Sequence, residues 1–341
     1  MRRHVAIVGL LTVMIVSVIL GDATTTQAAS AGTVKPHPEV KMSIYTTSFG
    51  TTAYTASFSL ADIVNKKHPW LRIGVVETTQ GADAVKSVAL APELRKTSMF
   101  NMSSTLHYDA VQGRGAFTSP VNYQVVSVRD TNAVSFVTLD PNIKTMKDLN
   151  GKRVSAGVMG GPGPTYLKLL ELYGVKPAII EKLSWAPAKD ALMDGKVDAC
   201  LQTLGDTTLT PYRPPALIHE LQTKKGFHVI PFDLEMLKKV AGTNLVGYVE
   251  LPAGMFGAPN PVITSTNLSY WGACPEFDAE IAYEVVKSFA ENADAFQGYD
   301  KSLAAIRRSA MAAVPIPPLT LHPSAEKYCK EVGIKIGQSL K

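Results

Sequence analysis

Cysteine is scarce in this chain, with Cys200, Cys274 and Cys329 as its three examples and no C-x-x-C pair among them. The odd count and the wide spacing match neither a zinc site nor a disulfide framework. Cys274 and Cys329 could still pair in an oxidising compartment, and the sequence leaves that open. Cys200 lies in an apolar strand pattern and is predicted to be a buried thiol.

Motifs of the common enzyme classes are also missing. The sequence contains no G-x-S-x-G elbow, no H-E-x-x-H pair, no Walker loop and no calcium loop, and its seven histidines are dispersed. Gly161-Pro162-Gly163 resembles the opening of a dinucleotide fingerprint, but Tyr166 stands where the third glycine would be. We therefore predict that the chain is not an enzyme and uses no cofactor. The sequence predicts no metal-binding residues, and it leaves open whether a metal ion assists ligand binding.

A strong charge of either sign is missing too. Lysine and arginine number 34 and aspartate and glutamate 29, a formal net charge of +5, without a basic cluster or a basic and aromatic stripe. Nucleic acid is therefore not an expected partner.

One long apolar run is present, and it lies at the start of the chain. Val5 to Leu20 follows a short basic segment and precedes the small residues of Thr26-Gln27-Ala28. This order is typical of a cleaved secretory signal, predicted here over residues 1–28. The alternative is an uncleaved anchor, although the run is shorter than the roughly 20 residues of a membrane span. We expect a periplasmic protein.

Strand and helix patterns alternate through the remaining chain, which predicts an α/β fold. Two long strand patterns, Val134 to Asp140 and Val262 to Cys274, bracket a middle block. We interpret them as strands that cross between two lobes. The predicted lobe I is discontinuous, 41–138 plus 263–341, and lobe II is 139–262. A cleft with a hinge would lie between them.

A glycine loop stands between a strand and a helix in the middle block. The strand around Val154 is followed by Gly160-Gly161-Pro162-Gly163 and then by the apolar helix pattern that begins near Tyr166. The unpaired N–H groups at a helix start can bind an anion, so an anion site is expected here. The alternative is a tight turn needed only for packing.

Hydroxyl and amide side chains follow three successive predicted strands. A helix cap or a turn would explain any one of these segments, but three of them favour a shared binding site. The predicted ligand-binding residues are Thr47, Ser48, Thr51, Thr52, Tyr54, Thr78, Thr79, Asn101 and Ser103 from one lobe, and Gly160, Gly161, Gly163, Thr165 and Gln202 from the other.

Taken together, four blocks resemble the TAXI-type solute-binding proteins of tripartite ATP-independent periplasmic (TRAP) transporters. They are Asp148 to Gly163, Ala191 to Ala199, Leu251 to Phe256 and Pro318 to Ala325. The resemblance implies a type II periplasmic binding protein fold, in which two α/β lobes close over a small organic acid and deliver it to a TRAP-type membrane permease. Family members are associated with glutamate, 2-oxoglutarate and similar acids.

This sequence departs from the resemblance in its first polar loop. The family loop is rich in glycine, whereas Thr46 to Tyr54 keeps only Gly50. Side chains would therefore replace close backbone approach at this edge of the cleft. Two other roles stay open on the same scaffold. One is a ligand-sensing subunit for a membrane kinase, and the other is an enzyme that would use Cys200 with His219.

Overall fold

The structure is a computed structural model that describes residues 37–207, 212, 214–241, 245–315 and 317–337. The predicted signal peptide at 1–28 lies outside the described residues. Within them, no helix combines the length and the apolar character that crossing a membrane requires.

Strands form where apolar and β-branched residues alternate or run together. In β1, Met42, Ile44 and Thr46 are buried while the residues between them are partly exposed, as the two-residue period of a strand requires. The strands of the described residues are β1 Val40–Thr46, β2 Leu71–Glu77, β3 Ser98–Ser103, β4 Gln124–Thr138, β5 Arg153–Ser155, β6 Ile179–Glu181, β7 Ala199–Gly205, β8 His228–Val229, β9 Gly247–Leu251 and β10 Val262–Ala273.

Several helices begin at side chains that cap them. Thr51 accepts a hydrogen bond from the backbone N–H of Tyr54, and Asp278 accepts from those of Glu280 and Ile281. The helices of the described residues are α1 Thr52–Lys67, α2 Gly81–Ala89, α3 His107–Gln112, α4 Gly163–Leu172, α5 Trp185–Met193, α6 Ala216–Gln222, α7 Leu234–Ala241, α8 Ala279–Glu291 and α9 Pro323–Glu331.

The described strands form one sheet in the order β2-β1-β3-β10-β4-β7-β5-β6, with β9 beside β10 and β8 beside β4. Strands β1, β2 and β3 are parallel, and so are β5, β6 and β7. The long strands β10 and β4 lie antiparallel to each other and join the two parallel parts. The sequence predicts two strands where β4 is a single strand through Thr131.

The buried apolar residues fall into three clusters. The first takes its residues from 42–128 and 268–329, and the other two take theirs from 133–262. Strands β4 and β10 contribute to clusters at both ends of the sheet. The exact lobe boundaries, 41–138 plus 263–341 and 139–262, stay a prediction.

All three cysteines are buried free thiols. The disulfide between Cys274 and Cys329 that the sequence leaves open is therefore not formed. Cys274 follows the end of β10, and Cys329 lies in α9, where both belong to the first apolar cluster. Their thiols act there as small apolar groups.

Candidate functional site in a cleft at the strand ends

A cavity of about 680 Å³ opens beside the centre of the sheet. It is bordered by the loops that follow β1, β2 and β5, and by the first residues of α5 and α6. The carboxyl ends of parallel strands meet at one edge of a sheet, and α/β folds bind ligands there. The position of this cavity follows that rule.

The loop after β1 is held by its own hydroxyl groups. Thr51 Oγ1 donates to the backbone oxygen of Ser48 at 2.8 Å and lies 2.8 Å from Thr47 Oγ1. Thr51 also caps α1, so the capping interpretation is correct for this residue. The Ser48 hydroxyl lies 3.4 Å from the backbone oxygen of Thr79, which connects the loops after β1 and β2.

The innermost surface of the cavity is polar. We call it the polar floor, and its residues come from three neighbouring strands, β3, β10 and β4. The floor consists of Asn101, Ser103, Arg129, Asn132, Asn267 and Ser269.

Arg129 is placed in the floor by a β-bulge. Ser269 of β10 pairs with Asp130 and Tyr270 pairs with Val128, so Arg129 is the extra residue without a partner in that register. A bulge turns a side chain away from its regular direction and is common beside active sites. Here the bulge accompanies a charged side chain that lines the cavity from the middle of a buried strand.

The guanidinium of Arg129 is 4% exposed, and its Nε and Nη1 atoms have no hydrogen-bond partner among the described residues. Nη1 lies 3.2 Å from Asp130 Oδ2. Burial lowers the pKa of Arg129, and the negative charge of Asp130 opposes that shift. Burial likewise raises the pKa of Asp130, against the effect of Arg129. Buried donors in native proteins are nearly always bonded, so these unpartnered nitrogens mark a place for a ligand.

Two amide groups of the floor are also unpartnered. Asn101 Oδ1 and Asn267 Oδ1 are buried without a hydrogen-bond partner in the described part of the chain. Asn132 differs, because its Nδ2 donates to Asp130 and to Ser269 Oγ. An amide offers both a donor and an acceptor, so Asn101 and Asn267 can bond a polar ligand group beside Arg129.

The glycine loop before α4 uses its main-chain donors within the protein. Gly161 N and Gly163 N both donate to the backbone oxygen of Val158, at 3.2 and 3.0 Å. Gly160 N donates to Gln80 Oε1 at 3.1 Å. These main-chain donors are satisfied inside the protein, as the packing alternative expects. An anion site at the start of α4 stays a prediction.

Eight of the predicted ligand-binding residues line the cavity, and six do not. Those that line it are Thr47, Ser48, Thr51, Thr52, Thr79, Asn101, Ser103 and Gly161. Those that lie outside its lining are Tyr54, Thr78, Gly160, Gly163, Thr165 and Gln202.

Internal contacts explain most of the six. Thr78 Oγ1 donates to the backbone oxygen of Thr46 at 2.7 Å, and Gln202 Nε2 donates to that of Trp185 at 2.8 Å. Thr165 is 1% exposed. The Tyr54 ring packs edge-on against Phe49 at 5.3 Å between centroids.

The residues named for an enzymatic role are not assembled into a reactive pair. His219 lines the cavity, whereas Cys200 is fully buried outside its lining. Burial raises the pKa of the Cys200 thiol to about 12, which leaves it protonated and a poor nucleophile.

Sequence reasoning missed four residues of the floor, Arg129, Asn132, Asn267 and Ser269. A signal for Arg129 was present, because Arg129-Asp130 is the one charged pair within the β4 sequence and follows the mostly apolar segment 125–128. Charged residues are rarely fully buried without a reason. Asn267 carries no comparable signal, since asparagine is common in many settings.

The chain is similar to several solved structures, three of which are the following. The first is MatC from Rhodopseudomonas palustris with bound malate, which has a TM-score of 0.53 and 15% sequence identity. The similarity covers 86% of this chain and 97% of the MatC chain. The second is a protein from Bordetella bronchiseptica RB50, with a TM-score of 0.50 and 14% sequence identity. The similarity covers 86% of this chain and 98% of that protein's chain. The third is the alkanesulfonate-binding protein SsuA from Xanthomonas axonopodis pv. citri bound to MOPS, with a TM-score of 0.45 and 16% sequence identity. The similarity covers 86% of this chain and 84% of the SsuA chain.

The fold is that of the periplasmic binding proteins, with two α/β lobes around a cleft. The chain belongs to the NMT1-like family, whose model matches residues 44–333.

Proposed function

We propose that this chain is a periplasmic, non-enzymatic solute receptor that captures a small organic carboxylate and delivers it to a TRAP-type membrane permease. The observation that carries the proposal is the buried guanidinium of Arg129, whose Nε and Nη1 have no hydrogen-bond partner among the described residues. The resemblance to TAXI-type proteins supports the permease, and the malate bound by MatC supports the class of solute.

A carboxylate satisfies what Arg129 leaves open. Guanidinium groups bind carboxylates through two parallel N–H···O bonds, which are stronger than bonds between neutral groups. Asp130 lies 3.2 Å from Nη1 and balances the charge of Arg129, but a buried donor that is left without a hydrogen bond still costs about 1–3 kcal/mol. A ligand that supplies the missing acceptors removes this cost and gains the bonds. Asn101, Ser103 and Asn267 add neutral partners beside the same guanidinium.

Closure of the lobes over the solute follows from the position of its partners. Thr47, Ser48 and Thr51 line the cavity from the loop after β1, and Val158 and Gly161 line it from the loop after β5. A ligand that contacts both sides binds the closed state better than the open one, and it shifts the equilibrium by that difference in affinity.

Calorimetry and thermal-shift screening against dicarboxylates, keto acids, amino acids and aromatic acids test the proposal. Arg129→Gln should weaken binding of a hit by about 10- to 100-fold, the loss expected for charge-assisted hydrogen bonds. Arg129→Lys keeps the charge without the planar pair of donors and should be intermediate. Circular dichroism establishes that each variant is folded.

Arg153→Gln is the matched control. Arg153 forms an ion pair with Asp198, with Nη2 2.6 Å from Oδ1, and it does not line the cavity. Its replacement should therefore leave the affinity for the solute unchanged. The proposal fails if no carboxylate binds, or if folded Arg129→Gln binds a hit as tightly as the original protein. Uptake by membrane vesicles that carry the candidate permease tests delivery, and it should require this receptor.

A further inference from the structure

The cavity lining at the beginnings of α5 and α6 is rich in apolar side chains, and Ser184 and His219 lie among them. We call these apolar side chains the apolar wall, which is formed by Leu183, Trp185, Pro187, Pro214, Pro215 and Leu217. These residues lie at the beginnings of α5 and α6, whereas the polar floor lies on strands of the sheet. One cavity therefore presents two surfaces of different character.

The apolar wall is partly open to the cavity. Leu183, Trp185 and Leu217 are half-buried, and Pro187 is exposed. Apolar surface gains roughly 25 cal/mol for each Å² removed from water, so an apolar ligand group that covers this wall contributes to affinity. Ligand cavities in general combine mostly apolar walls with a few polar anchors.

Contacts with buried residues fix the position of Trp185. Its backbone oxygen accepts a hydrogen bond from Gln202 Nε2 at 2.8 Å, and Gln202 is fully buried. Its ring also packs against the second apolar cluster of the core. The indole is therefore a preorganised surface, and a ligand that contacts it does not have to order it.

The charged residues that line the cavity also limit how many carboxylates the ligand can carry. Among the described residues that line the cavity, Arg129 is the one arginine or lysine that is buried. Lys301 is exposed, and the neighbouring Asp300 carries the opposite charge. The cavity thus offers one buried guanidinium, which already faces the carboxylate of Asp130 at 3.2 Å, so its open N–H groups fit no more than one ligand carboxylate. A second carboxylate against the apolar wall would lose its hydration without a partner.

The volume of the cavity also favours a ligand with a large apolar body. At about 680 Å³ the cavity is within the range that holds drug-sized ligands, roughly 300–1,000 Å³. A three- or four-carbon acid on Arg129 would leave most of the apolar wall in contact with water.

We propose that the solute is a monocarboxylate with a bulky apolar body, an aromatic or long-chain organic acid whose carboxylate binds Arg129 and whose body rests on Trp185. This inference rests on the proposed function and names its class of solute.

A matched series of acids tests it by calorimetry: propanoate, hexanoate, 3-phenylpropanoate and the dicarboxylate succinate. Affinity should rise by about fourfold for each methylene that becomes buried between propanoate and hexanoate. The aromatic acid should bind more tightly than propanoate by over tenfold, and succinate should gain nothing over propanoate.

Trp185→Ala should reduce the preference for 3-phenylpropanoate over propanoate by at least tenfold. Trp185→Phe keeps a flat ring and should retain most of that preference, which guards against a variant that merely folds poorly. Trp70→Ala is the matched control, because Trp70 packs against His68 outside the cavity lining and should leave the preference unchanged.

The outcomes separate this inference from the function beneath it. If succinate binds best in an Arg129-dependent manner and Trp185→Ala leaves the ratio of affinities unchanged, the monocarboxylate with an apolar body is refuted while the carboxylate receptor stands. If no acid in the series or in the wider panel binds, both are refuted.

Discussion

Gly160 and Gln80 are hydrogen-bonded beside the cavity, from the Gly160 backbone N–H to Gln80 Oε1 at 3.1 Å, and Gln80 lines the cavity. The Gly160 carbonyl in turn accepts from the backbone N–H of Ala82 at 3.1 Å. Gln80 precedes α2 and Gly160 precedes α4, so this pair of bonds joins the loops after β2 and β5. The contact is made by the protein alone, and we expect it to favour closure of the cleft.

Removing the side-chain acceptor should therefore favour opening. Gln80→Ala is expected to weaken solute binding by about fivefold, the value of one hydrogen bond of roughly 1 kcal/mol, because closure loses a contact that the solute does not replace. Calorimetry measures the affinity, and small-angle scattering should give a larger radius of gyration for the solute-free variant. Gln80→Glu retains an oxygen acceptor and is the control for the radius of gyration of the solute-free protein only, because Gln80 lines the cavity and a new carboxylate there would repel an anionic solute. An unchanged radius and affinity in Gln80→Ala would show that the bond does not influence closure.

The glycine loop should depend on Gly163 for packing rather than for binding. A Cβ at this position would lie 2.5 Å from the backbone oxygen of Val158 and 2.6 Å from that of Gly157, and neither oxygen can move away like a flexible side chain. Gly163→Ala should lower the free energy of unfolding by about 1–3 kcal/mol, as overpacking does. Urea denaturation measures it. Gly74→Ala is the control, because a Cβ there meets no atom within 4 Å. Equal stability of the two variants would contradict the packing role.

Much of the cavity border was predictable because it depends on local sequence and on one general rule. Strands β1, β2 and β3 are parallel, so the polar residues that follow them meet at one edge of the sheet, as with Thr47, Thr79 and Ser103. The TRAP subtype and the permease stay predictions.

The rest depends on pairing between distant segments. Arg129 faces the cavity through a bulge that exists only where β4 pairs with β10, and such a register is not encoded near Arg129 itself. The sequence predicts Gln202 as a ligand-binding residue, whereas the cavity is lined by its neighbour Thr203. Successive side chains of a strand point to opposite faces, so an error of one residue exchanges a ligand contact for a core contact.

The three buried thiols should be inert in the native protein. Cys200, Cys274 and Cys329 are unpaired, and burial raises the pKa of Cys274 and of Cys329 to about 11. Dithionitrobenzoate should therefore react slowly with native protein and rapidly with three thiols per chain in guanidinium chloride, without prior reduction. The preparation treated first with a reductant is the control and should give the same number. One reactive thiol in the unreduced denatured chain would instead reveal a disulfide.

A buried histidine should make stability depend on pH below neutrality. His107 is 5% exposed, and its Nδ1 lies 2.6 Å from the Tyr123 hydroxyl, which lies 2.7 Å from that of Tyr270. Burial lowers the pKa of His107 from 6.5 to about 4. Between those two values the unfolded chain binds a proton that the folded chain does not, so the free energy of unfolding falls as the pH falls.

The full effect of His107 would be about 3 kcal/mol between pH 7 and pH 4, from the free energy that corresponds to a pKa shift of this size. Urea denaturation at pH 7, 6, 5 and 4 measures it, and His107→Gln should flatten the profile while it retains a hydrogen-bonding group for Tyr123. Burial also lowers the pKa of His322, so some slope of the same sign should remain in that variant. His219→Gln is the matched control, because His219 is exposed at the cavity and should leave the slope unchanged. Parallel profiles for the original protein and His107→Gln would mean that His107 takes up its proton without unfolding the chain, and that its burial does not set the acid limit of the fold.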